Sequence, residues 1–273
     1  MANLTETSKI KGAFGQLIKG EVQEAYQTRS IVRAIAHEVQ MNGNGEYVIV
    51  KVKDGGETIA DYVAYGDNEF SQTEVETIKM YPDQQKFLGL DFDSVEYAMT
   101  NVNVREAKIR LEANKMQLAF DNHVLGLVRA AEDIQKQTAT LSKTNIYAEI
   151  NKAVRALDSK EVPSDGRVIM MNWATLSMLE QSPEFVGNHH VFTEANGLAN
   201  IQVSGCQVLL SNLIQDGEII VLHKDAIDYV ALIEKEAVGT HEANFTDYFK
   251  ALFVYGALIS RPTSIVRVAA AKA

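Results

Sequence analysis

Imidazoles, a single thiol and several carboxylate pairs are the side chains of this sequence that could do chemistry, and their spacing tests each possibility. His37-Glu38 begins like the helix motif of a zinc protease, where two histidines four residues apart hold the metal and the glutamate acts as base. Met41 stands where the second histidine would have to be, so the pair reads as a charged helix end. His189 and His190 could offer imidazoles to a metal, yet adjacent residues rarely converge on one ion. No Asp, Glu or Cys stands beside them at ligand spacing, and they read as an exposed loop pair. Cys206 follows a turn glycine and alternates with strand residues such as Val208, which suits a small core residue or an inert thiol. A nucleophile there would need a base that the sequence does not place. Asp91 with Asp93, and Glu234 with Glu236, are carboxylate pairs with nothing nearby to shield them from water, so a solvated face is their default.

Phosphate chemistry has no foothold either. No Gly-x-Gly-x-x-Gly opens a helix after a strand, and neither Gly-x-x-x-x-Gly-Lys-Ser/Thr nor Gly-x-Ser-x-Gly occurs. Gly43-Asn44-Gly45 leads into a strand, the wrong context for a phosphate cradle. Arg105, Lys108, Arg110 and Lys115 could touch nucleic acid, but Glu106 and Glu112 interleave with them, which fits a salt-bridged exposed helix face. The chain therefore offers no catalytic, cofactor-binding or metal-binding residues, and no cofactor is expected.

The whole-chain balance points the same way. With 26 basic against 36 acidic residues the net charge is -10, which opposes broad phosphate binding by the surface. At 273 residues the chain can bury a sizeable core without disulfides or metals, and one cysteine excludes an internal disulfide framework. The polar stretch Met1 to Lys11 lacks the apolar region of an export signal, and the longest apolar runs fall far short of a membrane span.

The elements that must position these residues follow from hydrophobic period. Ile10, Phe14, Leu17, Ile18 and Val22, then Ile31, Val32, Ile35, Ala36 and Val39, recur at helical spacing, so one or two amphipathic helices precede the turn at Asn42-Gly43-Asn44-Gly45. That apolar stripe needs a partner to cover it. From Glu46 to about Tyr97 the texture changes to strand-like runs (47–53, 58–63, 73–80 and 87–92) with little apolar material, marginal on their own and expected to pack on something else. Val102 to about Gln135 predicts one long helix of roughly 50 Å, with Val104, Ala107, Leu111, Leu118, Leu125 and Val128 as its apolar stripe. A hinge at 137–144 and a helix around Ile146, Ile150, Val154 and Leu157 follow. A compact α/β unit then begins at Val162-Pro163, with a strand at 167–171, a helix at 173–180, a hairpin turning at Ser204-Gly205, and a strand at 218–222. Strand-like runs at 248–259 and 265–268 close the chain.

This order of parts resembles the major capsid protein of tailed bacteriophages, the Hong Kong 97 type fold. The supporting runs are Lys86–Glu96 (KFLGLDFDSVE), Ala119–Leu125 (AFDNHVL), Val162–Met171 (VPSDGRVIMM), Leu179–Phe185 (LEQSPEF), Gly197–Asn212 (GLANIQVSGCQVLLSN) and Tyr255–Arg267 (YGALISRPTSIVR). The resemblance implies an α+β chain with an N-terminal arm (1–44), an extended β loop (45–98), a peripheral domain with the long spine helix (99–144), an axial domain (145–244) and a return to the peripheral domain (245–273). It further implies pentamers and hexamers tiling an icosahedral head around double-stranded DNA, with arm and loop reaching neighbouring subunits. Expected partners are a scaffolding protein, a portal and a decoration protein, with DNA held only by weak non-specific contact and no membrane partner. The expected location is the virion capsid, assembled in the bacterial host cytoplasm. Because the chain starts almost directly at the arm, a separate scaffolding protein or an already processed numbering is expected. Some relatives crosslink a loop lysine to a neighbour's asparagine; Lys79 and Lys86 lie in the right segment, but no matching asparagine or activating acid is evident.

Three other readings compete. An encapsulin-type compartment shell would use the same fold around an enzyme cargo. A small α/β enzyme with the β segment as a lid would make His189, His190 or His223 the residues to suspect. A coiled-coil adaptor would need a heptad sustained longer than this one.

Overall fold

Two sheets and one long helix enclose most of the buried side chains in the computed structural model, which describes residues 30–40, 47–52, 75–92, 104–187, 193–195, 198–200, 202–241 and 246–269. Helix α1 (Ile31–Ile35) leads into β1 (His37–Glu38), followed by β2 (Tyr47–Val52), β3 (Val75–Met80) and β4 (Gln84–Phe92). The spine helix α2 (Val104–Ala130) is followed by β5 (Gln135–Thr138), α3 (Ile146–Asp158), β6 (Arg167–Met171), α4 (Trp173–Glu180) and α5 (Pro183–Gly187). Short strands β7 (Thr193–Ala195), β8 (Leu198–Asn200) and β9 (Gln202–Val203) precede β10 (Cys206–Leu210) and β11 (Ile219–His223). Two long strands, β12 (Ile227–Thr240) and β13 (Asp247–Ile259), and the closing β14 (Ile265–Ala269) complete the chain.

The four-stranded sheet runs β1-β12-β13-β4, and the six-stranded sheet runs β5-β14-β11-β6-β10-β9. Among the described residues, strands β2 and β3 pair only with each other, as an antiparallel ribbon from Tyr47↔Met80 to Val52↔Val75. Alternation along β6 and β11 shows how the two bodies share a wall. Val168, Met170, Ile220 and Leu222 join the core beneath the spine helix, while Ile169, Met171, Ile219 and Val221 join a second core under α3 and α4. Strands buried on both faces read as unbroken apolar runs, which is why both were legible as Arg167–Met171 and 218–222. Helix α3 closes the second core with Ile146, Ile150, Ala153, Val154 and Leu157, all buried at helical spacing.

The spine helix differs from expectation in length and in face. It is 27 residues long, about 40 Å at 1.5 Å per residue, and ends at Ala130 where five further residues were expected. Its buried stripe is Ala113, Met116, Phe120, Val124 and Val128, whereas Leu111 and Leu118, expected in that stripe, lie on the opposite, exposed face. Phe120 meets Tyr229 and Tyr255 edge-on at centroid distances of 5.4 and 5.5 Å, locking the helix onto β12 and β13.

Four further placements depart from the sequence reading. The hinge expected at 137–144 begins inside β5, a polar edge strand parallel to β14. Strand β12 was not anticipated, and it pairs with β13 from Ile227↔Ile259 to Thr240↔Asp247, so the expected division at 244/245 falls inside one sheet. Strand β14 does not return with β13; it crosses to the six-stranded sheet and pairs antiparallel with β11. Likewise β4, expected in the extended loop, is hydrogen-bonded along β13 as the edge of the four-stranded sheet.

A buried carboxylate ties the spine helix to the six-stranded sheet. Glu218, 2% exposed, accepts from Arg129 at the end of α2 (2.8 and 3.1 Å), from Arg267 of β14 (2.7 Å) and from the Gln215 amide (3.1 Å). Burial opposes its ionisation, but the hydrogen bonds from both arginines and the amide, with the Arg129 charge, outweigh burial and hold its pKa below the usual 4.5. A lowered folded pKa adds stability that is present above the unfolded pKa and is lost as pH falls through the folded value.

Two outcomes follow for unassembled subunits. Glu218→Gln should cost about 3–5 kcal/mol near neutral pH, because it leaves two guanidinium groups facing a neutral amide. In thermal melts the gap to the parent chain should be full above pH 4.5 and narrow as pH falls further; a gap independent of pH would contradict an ionised Glu218. Phe120→Ala should cost about 3–5 kcal/mol in urea denaturation, and a loss near zero would mean that the three-ring contact does not hold the helix down.

Candidate functional site

Among the described residues, the structure gathers no group of three or more His, Cys, Asp or Glu that could hold a metal, and each chemistry-bearing side chain has its own surroundings. His37 and Glu38 lie on β1, not at a helix end, because the helical pattern stops at Ile35 and Ala36 is extended. His37 Nδ1 sits 3.1 Å from Asp228, while Glu38 takes an ion pair from Arg33 (3.5 Å) and a hydrogen bond from Tyr229 (3.4 Å). Burial, against the pull of Arg33, pushes the Tyr229 phenol up to about 12. His189 and His190 lie outside the described residues, as does Asp93.

His223 is used structurally on both ring nitrogens. Nε2 lies 2.7 Å from the Asp165 carbonyl and Nδ1 accepts from the Asp225 amide at 3.2 Å, which assigns the proton to Nε2. The ring packs over Gly166, whose φ of +78° and whose missing Cβ, 3.3 Å from Nε2, leave room for it. Cys206 is buried in the core under α3, and burial pushes its thiol up, away from the thiolate a nucleophile needs. Asp91 is exposed and bonded to exposed His241 at 3.0 Å, and Glu236 is exposed. Lys115 pairs with Glu112 at 2.6 Å on the spine helix, as a salt-bridged face requires. Among the described residues no helix is long and apolar enough to cross a membrane.

What the structure assembles instead is a set of contacts that fix the start of α1 and one end of the β2–β3 ribbon. At the root of α1, Asp121 of the spine helix is fully buried and accepts from Ser30 Oγ (2.8 Å), Gln117 Nε2 (3.2 Å), and the Ile31 and Val32 amides (3.3 and 3.4 Å). Burial raises its pKa above 3.8 even against these four bonds, because every donor is neutral. At the base of the β2–β3 ribbon, buried Met80 packs with Val39 and Val230. The turn that follows sits on β13, where a Cβ on Gly256 would lie 2.8 Å from Pro82 Cα and 3.1 Å from the Tyr81 carbonyl oxygen. His123 of the spine helix faces Asp83 of the same turn at 3.8 Å.

Sequence reading missed these anchors. A signal was present: Gln117 and Asp121 are polar at i, i+4 within an otherwise apolar buried stripe, Arg129 and Arg267 each interrupt an apolar run, and Glu218 directly precedes one. The remaining conspicuous feature is exposed apolar surface, at Tyr81, Phe87, Leu111, Leu118 and Trp173. Lys79 and Lys86 are both exposed. This site is a surface with a mounted ribbon, suited to contact with another macromolecule.

No protein-family model matches the sequence, and no curated protein matches it. Solved structures do match the fold. The capsid structure of the cyanophage P-SCSP1u is 14% identical, covers 90% of this chain and 89% of that one, and superposes with a TM-score of 0.69. The mature capsid of bacteriophage PhiM1 is 11% identical, covers 90% and 88%, and gives 0.64. The SrpI encapsulin complex from Synechococcus elongatus PCC 7942 is 10% identical, covers 86% and 85%, and gives 0.57. The likeness covers about nine-tenths of the chain, and the chain has the α+β fold of phage capsid proteins, the Hong Kong 97 type.

Proposed function

We propose that this chain is the major capsid protein of a tailed bacteriophage. Copies self-assemble through pentamers and hexamers into an icosahedral head around double-stranded DNA, and the protein's role is structural, without catalysis or cofactor. The observation that carries this reading is the match to phage capsid structures along about nine-tenths of both chains. Its physical support is the surface: among the described residues β2 and β3 pair only with each other, and Phe87 and Trp173 remain 72% and 58% exposed. Contacts of one patch with a different patch on the next copy are heterologous, and they close into rings when the rotation closes.

The proposed parts are an arm (1–44), an extended loop (45–98), a peripheral domain with the spine helix (99–144, rejoined at 245–273) and an axial domain (145–244). A scaffolding protein, a portal and a decoration protein are the partners this role calls for. The net charge of -10 favours weak, non-specific contact with DNA, since tight binding by the wall would obstruct packaging and release. Assembly takes place in the host cytoplasm, and the mature location is the virion. The likeness to an encapsulin supports a second reading, the same shell around an enzyme cargo.

Size-exclusion chromatography and negative-stain electron microscopy of the protein, expressed alone and with its neighbouring genes, test this. Uniform shells, tubes or capsomer rings are expected. A monomer or dimer in both preparations would overturn the shell reading, and shells that retain a co-expressed enzyme instead of DNA would select the encapsulin reading. Gly256→Ala tests the ribbon's seat. Its Cβ would meet backbone at 2.8 Å, so the turn must shift, at a cost of about 1–3 kcal/mol and with a sharp fall in the yield of closed particles. Unchanged melting and normal particles would show that the turn is not held there.

A further inference from the structure

The spine helix buries one face and exposes apolar side chains on the other. Leu111 is 55% exposed and Leu118 46%; seven residues apart, they point within about 20° of one another. Gly126, about 80° round the helix from Leu118 at 3.6 residues per turn, borders this face; it is also exposed, and a Cβ there would meet nothing within 4 Å. Glycine is a poor helix former, so its place on a face that the described chain does not touch is explained by neither packing nor propensity. It would let another helix approach closely. The Leu111-to-Gly126 face spans about 22 Å at 1.5 Å per residue.

The other half of the contact is in the sequence. Residues 1–29 lie outside the described residues, and they enter the structure at Ser30, which is bonded to Asp121 on this same helix. Asp121 is one turn from Leu118. Ile10, Phe14, Leu17, Ile18 and Val22 recur at helical spacing over about 18 Å if helical. Eight residues separate Val22 from Ser30 and can reach about 27 Å when extended, while Leu111 is only about 15 Å along the axis from Asp121. Such a short tether gives the segment a high effective concentration at the exposed face of its own chain.

We infer that the apolar stripe of residues 10–22 docks, within the same chain, on the Leu111–Leu118–Gly126 face of the spine helix. This contact is intramolecular, and its test does not depend on whether the protein forms shells.

Leu118→Cys in the full-length chain gives a thiol on that face, with buried Cys206 as a slow internal control. Its alkylation by a water-soluble maleimide should be at least tenfold slower than in the same chain carrying Phe14→Ser, Leu17→Ser and Ile18→Ser. Equal rates would overturn the docking. Two double variants, Phe14→Cys with Leu118→Cys and Leu17→Cys with Leu118→Cys, then identify the occupant under mild oxidation. A faster-migrating monomer band that is reversed by reductant is expected from at least one pair. Disulfide-linked dimers would show that a neighbour's arm occupies the face, and no disulfide from either pair would show that the arm is elsewhere; both outcomes overturn the inference.

Discussion

Taking a carboxylate out of water costs several kcal/mol unless its oxygens are fully partnered, and the placement of Glu218 shows the chain meeting that constraint where its two bodies join. Both oxygens are engaged by guanidinium groups, one from the end of the spine helix and one from β14. Arg129 also donates to the Leu213 carbonyl at 2.7 Å, so the helix end, the loop before β11 and the closing strand are fixed together. None of these residues can move without leaving a buried charge unpaired. The wall formed by β6 and β11, shared by both cores, is thereby held at one orientation to the helix.

With that junction fixed, the remaining freedom lies in the mounted parts. The spine helix is pinned by Phe120 between Tyr229 and Tyr255, and β12 and β13 run side by side from Ile227↔Ile259 to Thr240↔Asp247. The β2–β3 ribbon, by contrast, is joined to this frame through Met80 and the turn on Gly256, and has no further sheet partner among the described residues. The alternation of buried and exposed residues along β4, with Leu88 and Leu90 inward and Phe87 and Asp91 outward, ties the ribbon's exit strand firmly to the frame.

Much of the frame was legible because local pattern and tertiary burial agree there. Strands β6 and β11 are buried on both faces and read as continuous apolar runs; α3 has a clean apolar stripe; the turn at Ser204-Gly205 sits where the sequence puts it, with both residues at positive φ. Where burial is set by partners far away in sequence, pattern failed. Strand β12 carries Glu234, Lys235 and Glu236 and owes its conformation to pairing with β13, while β5 is polar throughout and exists because β14 accepts it at an edge. Leu111 and Leu118 fit the helical period as well as the true core positions do. Only the position of the sheet decides which face is covered. The site was less legible still, since Arg129 and Glu218 are 89 residues apart and Ser30 and Asp121 are 91.

The two buried carboxylates of the spine region separate a permanent joint from an attachment. Glu218 is held by charged donors and its pKa is lowered, whereas Asp121 is held by a hydroxyl, a carboxamide and two backbone amides and its pKa is raised. By linkage, the Glu218 joint weakens as pH falls through its lowered value, while ionising Asp121 costs the folded chain, so the α1 root weakens as pH rises through its raised value. Hydrogen bonds to a charged donor are about twice as strong as those between neutral groups. The chain thus places charge on charge where frame meets frame, and only neutral donors where the arm begins. Of the two buried carboxylate joints, the one at the root of α1 is therefore the weaker.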